Sequence, residues 1–427
     1  MGEGDEVFSI NNCCLVIFMD YPKLRNIEAF PVKMEGQDLI CFRDPQRISE
    51  SMVVLPKSAY YIVSFFDGAH SVRDIQAEYM RMFGELIYSD QINEVVEKLD
   101  RSLLLESDHF YEYRKKAEEE FFQTSIRKPM LAGGGYESVP EKLRPQIESF
   151  YFLEGGPGQG PHPQVSVNDL KGFIAPHIDY TRGGPCYAWA YKEVAEHSDH
   201  DVFILLGTSH LPTQKYFVLT KKDFETPFGI LKTDQKILDR LENDLGRDFF
   251  SDEFVHRSEH SLELQTIYLH YLFEKNPNLC IVPILCGSFY EMITGGSHPR
   301  ESEAINLFIE TLGKIVRDDG RKICLVASAD LAHVGRQFGH EFLVSETVME
   351  EIKKKDLEML ESVIKGDADR FFDHILKEDD RRNICGLPPI YALLRLLDTG
   401  TGKLLKYSQW KDPEGNGAVT FASIAFR

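Results

Sequence analysis

Short apolar runs alternate with helical periodicity over the second part of the chain. The runs have the continuous apolar character of buried strands and fall at 172–176, 202–206, 216–219, 280–285, 323–328 and 420–425. Between them, apolar residues recur at three- and four-residue spacing, which predicts helices over 185–196, 234–243, 260–273, 301–317, 344–363, 367–377 and 386–397. This alternation predicts a layered α/β/α domain over residues 165–427, with a largely parallel sheet. Shorter runs near 216–231 and at the end predict antiparallel additions.

Residues 1–110 show a different order, with strands first and helices afterwards. The patterns predict strands at Leu15–Phe18, Ala29–Met34 and Leu39–Phe42, helices beginning near Ala59, Ser71 and Ser89, and a closing strand at Leu103–Leu105. This is the order of a small winged-helix α+β domain. The stretches FFDGAHSVRDIQAEYMRMFG and INEVVEKLDRSLLLES resemble PqqD-like domains over about residues 50–106. That resemblance implies a peptide bound at a strand edge.

Two other readings of this first segment stay open. A winged helix that reads DNA would need a basic recognition helix, and the predicted helix from Ser89 to Asp100 is poor in basic residues. The segment can also be a structural cap on the second domain. Residues 111–164 are expected to form a charged helix, Tyr111 to Gln123, followed by a Gly- and Pro-rich linker.

Polar side chains follow the predicted parallel strands at their carboxyl ends. His177 comes after the run at 172–176, His210 after the run at 202–206, and Asp330 and His333 after the run at 323–328. Cys385 immediately precedes the helix at 386–397. In open α/β sheets the crevice beyond the strand ends is the usual ligand site. Three imidazoles, a thiol and a carboxylate gathered there can bind a transition metal or carry out acid–base chemistry.

Composition narrows the class of protein. The 427 residues include 48 Lys and Arg against 68 Asp and Glu, so the net charge of −20 disfavours nucleic acid as a partner. No apolar run is long enough to cross a bilayer, and the first residues lack a secretory signal, so we expect a cytoplasmic protein with no membrane partner. The eight cysteines are scattered without CxxC spacing, which argues against a disulfide scaffold or an iron–sulfur cluster.

The motifs of the second domain resemble the Memo-like family. They occur in the family's order and are IAPHIDYTRGG, LLGTSHLPTQKYF, EHSLELQTIYL, IVPILCG, ASADLAHVG and ICGLPPIYALL, covering about residues 170–427. With the first domain, the chain looks like an AmmeMemoRadiSam system protein B from a bacterium or archaeon. The resemblance implies a fold similar to class III extradiol dioxygenases. It also implies a radical SAM protein and an AMMECR-type protein as partners.

The resemblance assigns roles to particular positions. His177, His210 and Cys385 match the family's metal-binding pocket, and Asp330 and His333 match the adjacent polar pair. We expect His333, Asp330 and Cys385 to be the catalytic residues. Glu259, His260 and Glu263 match a motif at the rim of the cleft. This chain departs from many relatives in having Ile178-Asp179 after the first histidine and Leu211 after the second, which adds a carboxylate near the pocket and removes an imidazole.

Several structural readings compete with these roles. Cys385 can be plain helix packing, His210 can cap a turn, and Asp330 with His333 can be an i, i+3 pair on a helix surface. Glu259 and Glu263 can lie on a solvated face.

Two histidines and a thiolate suit a divalent transition metal, with iron expected first and copper or zinc as alternatives. The expected function is metal binding together with a radical SAM partner, either as a non-enzymatic binding protein or with redox catalysis in which His333 is the acid or base. The alternatives are an extradiol-type dioxygenase acting on a small aromatic substrate, where Asp330 or Asp179 would supply an oxygen ligand, and a Cys385–His hydrolase.

Overall fold

The structure is a computed structural model that describes residues 19–34, 36–49, 51–162, 170–397 and 401–427. The predicted strand Leu15–Phe18 and the predicted domain start at residue 165 lie outside the described residues. The chain divides into two compact units between Glu118 and Glu119. Each unit is described by itself, and the boundaries expected at 110 and 165 stay predictions.

The N-terminal unit combines a small sheet with three helices. Its elements are β1 (Glu28–Met34), β2 (Gln37–Arg43), β3 (Val53–Pro56), α1 (Lys57–Val63), α2 (Val72–Phe83) and α3 (Ser89–Arg101). The strands pair antiparallel in the order β1-β2-β3, so the predicted strands Ala29–Met34 and Leu39–Phe42 are confirmed, and they form a hairpin. Ser71 caps α2 in a reciprocal capping box with Asp74, as its sequence indicates. The predicted closing strand is wrong, because Leu105 forms only an isolated bridge with Leu24.

A charged helix, α4 (Asp108–Gln123), crosses the division between the units. The strands that follow it are β4 (Ile126–Arg127), β5 (Gly172–Ala175), β6 (Val202–Thr208), β7 (Phe217–Leu219), β8 (Asp223–Thr226), β9 (Gly229–Thr233), β10 (Cys280–Cys286), β11 (Ile323–Ser328), β12 (Asp330–Val334), β13 (Gly402–Lys411) and β14 (Ala418–Phe426). The helices are α5 (Pro140–Phe150), α6 (Tyr180–His197), α7 (Gln235–Leu245), α8 (Ser261–Phe273), α9 (Tyr290–Gly295), α10 (Glu303–Asp319), α11 (Glu346–Ile364), α12 (Ala368–Leu376) and α13 (Leu387–Leu396).

The centre of the large sheet is parallel and fully covered. Its neighbouring strands follow the order β5-β11-β6-β10, and each of these pairs is parallel. The residues of β5 and β6 are all buried, which explains why their sequences are continuously apolar. Strands β12, β13 and β14 add antiparallel pairs beyond β5. The predicted α/β class and the largely parallel sheet are therefore confirmed.

The sheet brings the predicted strand ends together. Because β5 and β6 flank β11 and all three run in the same direction, the segments that follow them leave at one edge. Asp330 and His333 lie in strand β12, which pairs with β14, so the competing interpretation that puts them on a helix surface is wrong. Among the described residues, no helix is both long enough and apolar enough to cross a membrane.

Candidate metal centre

Side chains from three distant parts of the chain converge beyond the parallel strands. One ligand atom from each of His177, His210 and Cys385 lies within 4.8 Å of the others. Nε2 of His177 is 3.2 Å from Sγ of Cys385, and the rings of His177 and His210 are 5.0 Å apart between centroids. Two imidazole nitrogens and a sulfur at this spacing can hold a transition-metal ion.

His177 is held rigidly at the end of β5. Its backbone N–H donates to Oδ1 of Asp330 at 2.9 Å, and its Nδ1 hydrogen-bonds the carbonyl oxygen of Ser328 at 3.0 Å. A carbonyl oxygen only accepts, so Nδ1 carries the proton and Nε2 presents its lone pair to the cluster. Burial, with a smaller contribution from the charge of His210, lowers the pKa of His177 to about 3. The ring is therefore neutral, which is the form that binds a metal.

His210 is oriented in the same way by a carboxylate. Its Nδ1 lies 3.0 and 3.1 Å from the two carboxylate oxygens of Glu259, and its backbone N–H donates to Glu259 at 2.8 Å. This leaves Nε2 of His210 as the atom available to a metal. Partial burial would lower the pKa of His210, but the charge of Glu259 raises it overall. Burial alone would raise the pKa of Glu259, but the positive charge on His210 holds it well below the usual range.

Cys385 is placed by the backbone around it. Its carbonyl accepts from the Thr208 hydroxyl at 3.0 Å, and the next residue, Gly386, donates its N–H to the carbonyl of Asp330 at 3.0 Å. A Cβ at Gly386 would lie 2.3 Å from that carbonyl oxygen, so the close approach requires glycine. Burial first, and then the negative charge of Asp330, raise the pKa of the Cys385 thiol well above its usual value. Without a metal the sulfur keeps its proton.

Asp330 and His333 lie next to the three ligands. Oδ2 of Asp330 is 3.7 Å from Nε2 of His177, and burial raises the pKa of the Asp330 carboxyl. Nδ1 of His333 lies 3.1 Å from the Leu331 carbonyl oxygen, so Nε2 is its exchangeable atom. Burial lowers the pKa of His333 to about 4, and the negative charge of Asp330 opposes that shift. The charges of His177 and His210 lower it further.

The residues expected at the rim of the metal pocket, Glu259, His260 and Glu263, have different surroundings. Glu259 and Glu263 are both buried, so the solvated-face reading is wrong. Glu263 forms an ion pair with Arg127 and accepts from the Tyr136 hydroxyl at 2.6 Å, so it anchors the segment after α4. His260 stacks on His210 with ring centroids 4.8 Å apart. The Asp179 carboxylate is already engaged, because it caps α6 and pairs with Arg182 at 2.5 Å.

Supporting hydrogen bonds were missed by sequence reasoning. Gln265 donates to the carbonyl of Pro176 and to the Ser328 hydroxyl, both at 2.7 Å, and so ties α8 to the two strands beside His177. Asp356, on α11, binds the guanidinium of Arg382 and accepts from the Thr420 hydroxyl at 2.6 Å. The Arg382 carbonyl in turn accepts the N–H of His333 at 2.6 Å. These partners are distant in sequence, so no local pattern could have indicated them.

Comparison with known proteins places the chain in a family. A family model described as "Memo-like protein" matches residues 127–425. A MEMO1 family protein of Aquifex aeolicus is 26% identical over 95% of this chain and 99% of its own length. One from Desulfurococcus amylolyticus is 29% identical over 70% of this chain and 98% of its own length. A structure of an uncharacterized Escherichia coli K12 protein covers 60% of this chain and 100% of its own, with 10% identity and a TM-score of 0.36, which is too low to support an inference.

Proposed function

Because this chain belongs to the Memo-like family, we propose that it binds one divalent transition metal through His177, His210 and Cys385. The observation that carries the proposal is the convergence of these three ligand atoms within 4.8 Å. Iron is the metal we expect first, with copper or zinc as alternatives, since imidazole and thiolate ligands suit all three.

The surroundings of the ligands support a metal rather than a packing role. Metal-binding histidines characteristically donate their second ring N–H to a carbonyl or carboxylate, which fixes the ring and increases ligand basicity. His177 has this arrangement with Ser328, and His210 has it with Glu259. A thiol packed only for its volume would not require its sulfur to face an imidazole lone pair at 3.2 Å.

The proposed activity is redox catalysis with His333, Asp330 and Cys385 as the catalytic residues. When bound, the metal would supply Lewis acidity and, for iron or copper, electron transfer. His333 is partly buried and neutral, and with its Nδ1 fixed it can take up or release a proton at Nε2. Asp330 keeps the His177 backbone in place through its Oδ1 atom, and Cys385 is both ligand and reactive sulfur.

A dioxygenase of the extradiol type is the second candidate. Such iron sites use two histidines and one carboxylate, and the Asp330 carboxylate lies 3.7 Å from Nε2 of His177. In that case Cys385 would be dispensable for metal binding, whereas the proposed centre requires it.

A Cys385–His hydrolase is the weaker alternative. The 3.2 Å contact between Cys385 and His177 has the geometry of such a pair. However, burial raises the pKa of the thiol and lowers that of the imidazole, so the proton stays on sulfur. The pair therefore lacks the thiolate that a nucleophilic hydrolase needs.

The proposed partners are a radical SAM protein and an AMMECR-type protein, with a peptide bound by the N-terminal PqqD-like winged-helix domain. The 26% identical relative from Aquifex aeolicus spans 95% of this chain, so the N-terminal segment recurs with the second domain there. Co-purification of the full-length chain with its radical SAM partner, lost when residues 1–110 are deleted, would support the association. Failure of the two full-length proteins to co-purify would contradict it.

Elemental analysis of anaerobically purified protein tests the metal proposal. We expect close to one transition-metal ion per chain in the wild type and loss of that ion in His177→Ala and Cys385→Ala. Cys280→Ala is the matched control, since Cys280 lies at the start of β10 and hydrogen-bonds Asp234, the residue that caps α7, so its loss should leave metal content unchanged. Full metal content in Cys385→Ala would contradict the three-ligand centre and favour the dioxygenase reading.

A further inference from the structure

A second concave site opens beside the strand that carries His333. It is a cleft of about 670 Å³ within the C-terminal unit, a volume in the range of small-molecule sites. Its walls come from the start of α9, the end of β12, the turn over residues 338–342, helix α11 and the loop over residues 379–383. None of the three proposed metal ligands lines it. The cleft is therefore separate from the metal centre.

The inner surface of the cleft is apolar, and aromatic rings stand at its mouth. Val334 and Ile352 are buried beneath it. Tyr290 and Phe342 also line it, yet 67% and 42% of these residues remain exposed. Exposed aromatic side chains grouped around a concavity are typical of ligand sites, because a bound ligand would remove their apolar faces from water.

The charges around the cleft favour a cationic ligand. Five carboxylates stand against three cations: Glu351, Asp379 and Asp380 line the cleft, Asp356 and Glu378 lie behind it, and the cations are Lys355, Arg381 and Arg382. The lining alone carries equal numbers of the two, but Arg382 is bound to both carboxylates behind the wall and Nζ of Lys355 lies 3.5 Å from Glu378, so two of the three cations are already paired. Arg381 reaches Asp379 only at 4.0 Å with 81% of its side chain exposed. None of the ion pairs among the described residues involves Glu351 or Asp380, so these two lining carboxylates are the charges left to meet a cationic ligand.

One wall of the cleft is a loop held in an unusual backbone conformation. Asp379, Asp380 and Asn383 have φ angles of 53°, 47° and 50°, in the left-handed region that favours glycine. The Asn383 side chain donates to the carbonyls of His333 and Phe338 at 3.1 and 3.2 Å, which fixes the loop. Strained backbone held by such contacts is characteristic of binding sites, because the geometry is preorganised before the ligand arrives.

We propose that this cleft binds a small aromatic cation of the arylalkylammonium class, with its ring against the apolar wall. The aromatic rings at the mouth and the surplus of carboxylates both stabilise an ammonium group. This binding does not require a metal at the neighbouring centre. The proposal can therefore hold or fail independently of the proposed function.

Binding of phenethylammonium to the full-length protein, measured by calorimetry and by saturation-transfer NMR, tests the proposal. The paired probe is 3-phenylpropionate, which carries a similar ring and the opposite charge. We expect the cation to bind and the anion to bind at least about tenfold more weakly, because the carboxylates repel it. No binding of the cation, or equal binding of the two probes, would overturn the proposal.

Two pairs of variants on α11 locate the binding. Val348 is partly buried and lines the cleft, so Val348→Trp should fill the cavity and abolish binding, whereas Thr347→Trp on the same helix should not. Glu351→Gln should weaken the cation about fivefold, whereas Glu350→Gln, outside the cleft, should leave it unchanged. Unchanged binding in a Val348→Trp protein with a normal unfolding transition would overturn the assignment to this cleft. Neither Val348 nor Glu351 belongs to the metal centre, so metal content should stay constant in all four variants.

Discussion

Nε2 of His177 and Sγ of Cys385 lie 3.2 Å apart although the two residues are separated by 208 positions in sequence. Strand β5 delivers the imidazole, and the turn before α13 delivers the sulfur. The local sequence around either residue does not determine where these two atoms lie. The contact exists because Gly386 lets the backbone approach the carbonyl of Asp330. The candidate centre therefore depends on a small number of close backbone contacts as well as on its ligands.

Gly386→Ala should disturb the centre without changing a ligand. The new Cβ would lie 2.3 Å from the Asp330 carbonyl oxygen and 2.7 Å from Cβ of Ala329, so the loop carrying Cys385 must move. We expect a loss of about 2 kcal/mol in the free energy of unfolding, measured by urea denaturation, and weaker metal binding. Gly295→Ala is the control, since nothing lies within 4 Å of its Cβ. Wild-type metal affinity in Gly386→Ala would show that the close contact between Gly386 and the Asp330 carbonyl does not position the sulfur.

Glu259→Gln should weaken metal binding through His210. The amide can still accept hydrogen bonds, but it loses the negative charge that raises the pKa of His210. The pKa of His210 should therefore fall, and metal affinity should fall about 10- to 100-fold. Competition with a chromophoric chelator measures the affinity, and NMR titration of the metal-free protein measures the pKa. Glu253→Gln, whose carboxylate contacts Thr220 instead, should behave as wild type.

Asp356→Asn should destabilise the fold through Arg382. The substitution removes one charge from a buried ion pair and leaves the guanidinium with Glu378 alone. We expect the free energy of unfolding to fall by about 3 kcal/mol in urea denaturation. The exposed Glu358→Gln, on the same helix, should have little effect. Equal stability of the two variants would mean that the Asp356–Arg382 pair is not a stabilising interaction.

Asp380 should give the protein a pH-dependent stability. Burial raises the pKa of its carboxyl from 3.8 to about 6, so between these values the folded state binds more protons than the unfolded state. Its contribution to stability is therefore present below about pH 4 and is lost as the pH rises through 6. Asp380→Asn keeps an acceptor for the Ile384 N–H and tolerates the left-handed backbone.

The Asp380→Asn protein should consequently be more stable than the wild type above pH 6, by about 2 kcal/mol, and the difference should shrink toward pH 4. Urea denaturation at several pH values measures this. A difference that does not vary between pH 4 and 7 would rule out a raised pKa at Asp380.

The sequence was sufficient for the parallel strands and for most of the helices that cover them. Continuous apolar runs such as 202–206 can be buried strands or buried helices. Their short length and flanking residues correctly indicated strands. Because parallel strands end at one edge, His177 and His210 could be placed together before any coordinates. Cys385 was placed by its resemblance to a family motif and by the helix that begins after it.

Long-range pairing set the limits of the sequence prediction. The helical spacing of Asp330 and His333 left a helix surface open as an alternative, yet β14 pairs with this segment through Phe421 and Val419. The supporting partners, such as Gln265 with Ser328, are 63 residues apart. Which carbonyl meets which side chain depends on the register of the sheet, and local periodicity carries no information about register.

Cobalt(II) titration of the metal-free protein tests the central claim most directly, because a cobalt–thiolate bond gives a charge-transfer absorption band that histidine and carboxylate ligands do not. We predict that the band grows to a plateau at one equivalent of cobalt in the wild type and in Cys280→Ser. It should be absent in Cys385→Ser. A wild-type protein that binds cobalt without this band, or a Cys385→Ser protein that keeps it, would contradict a centre formed by His177, His210 and Cys385.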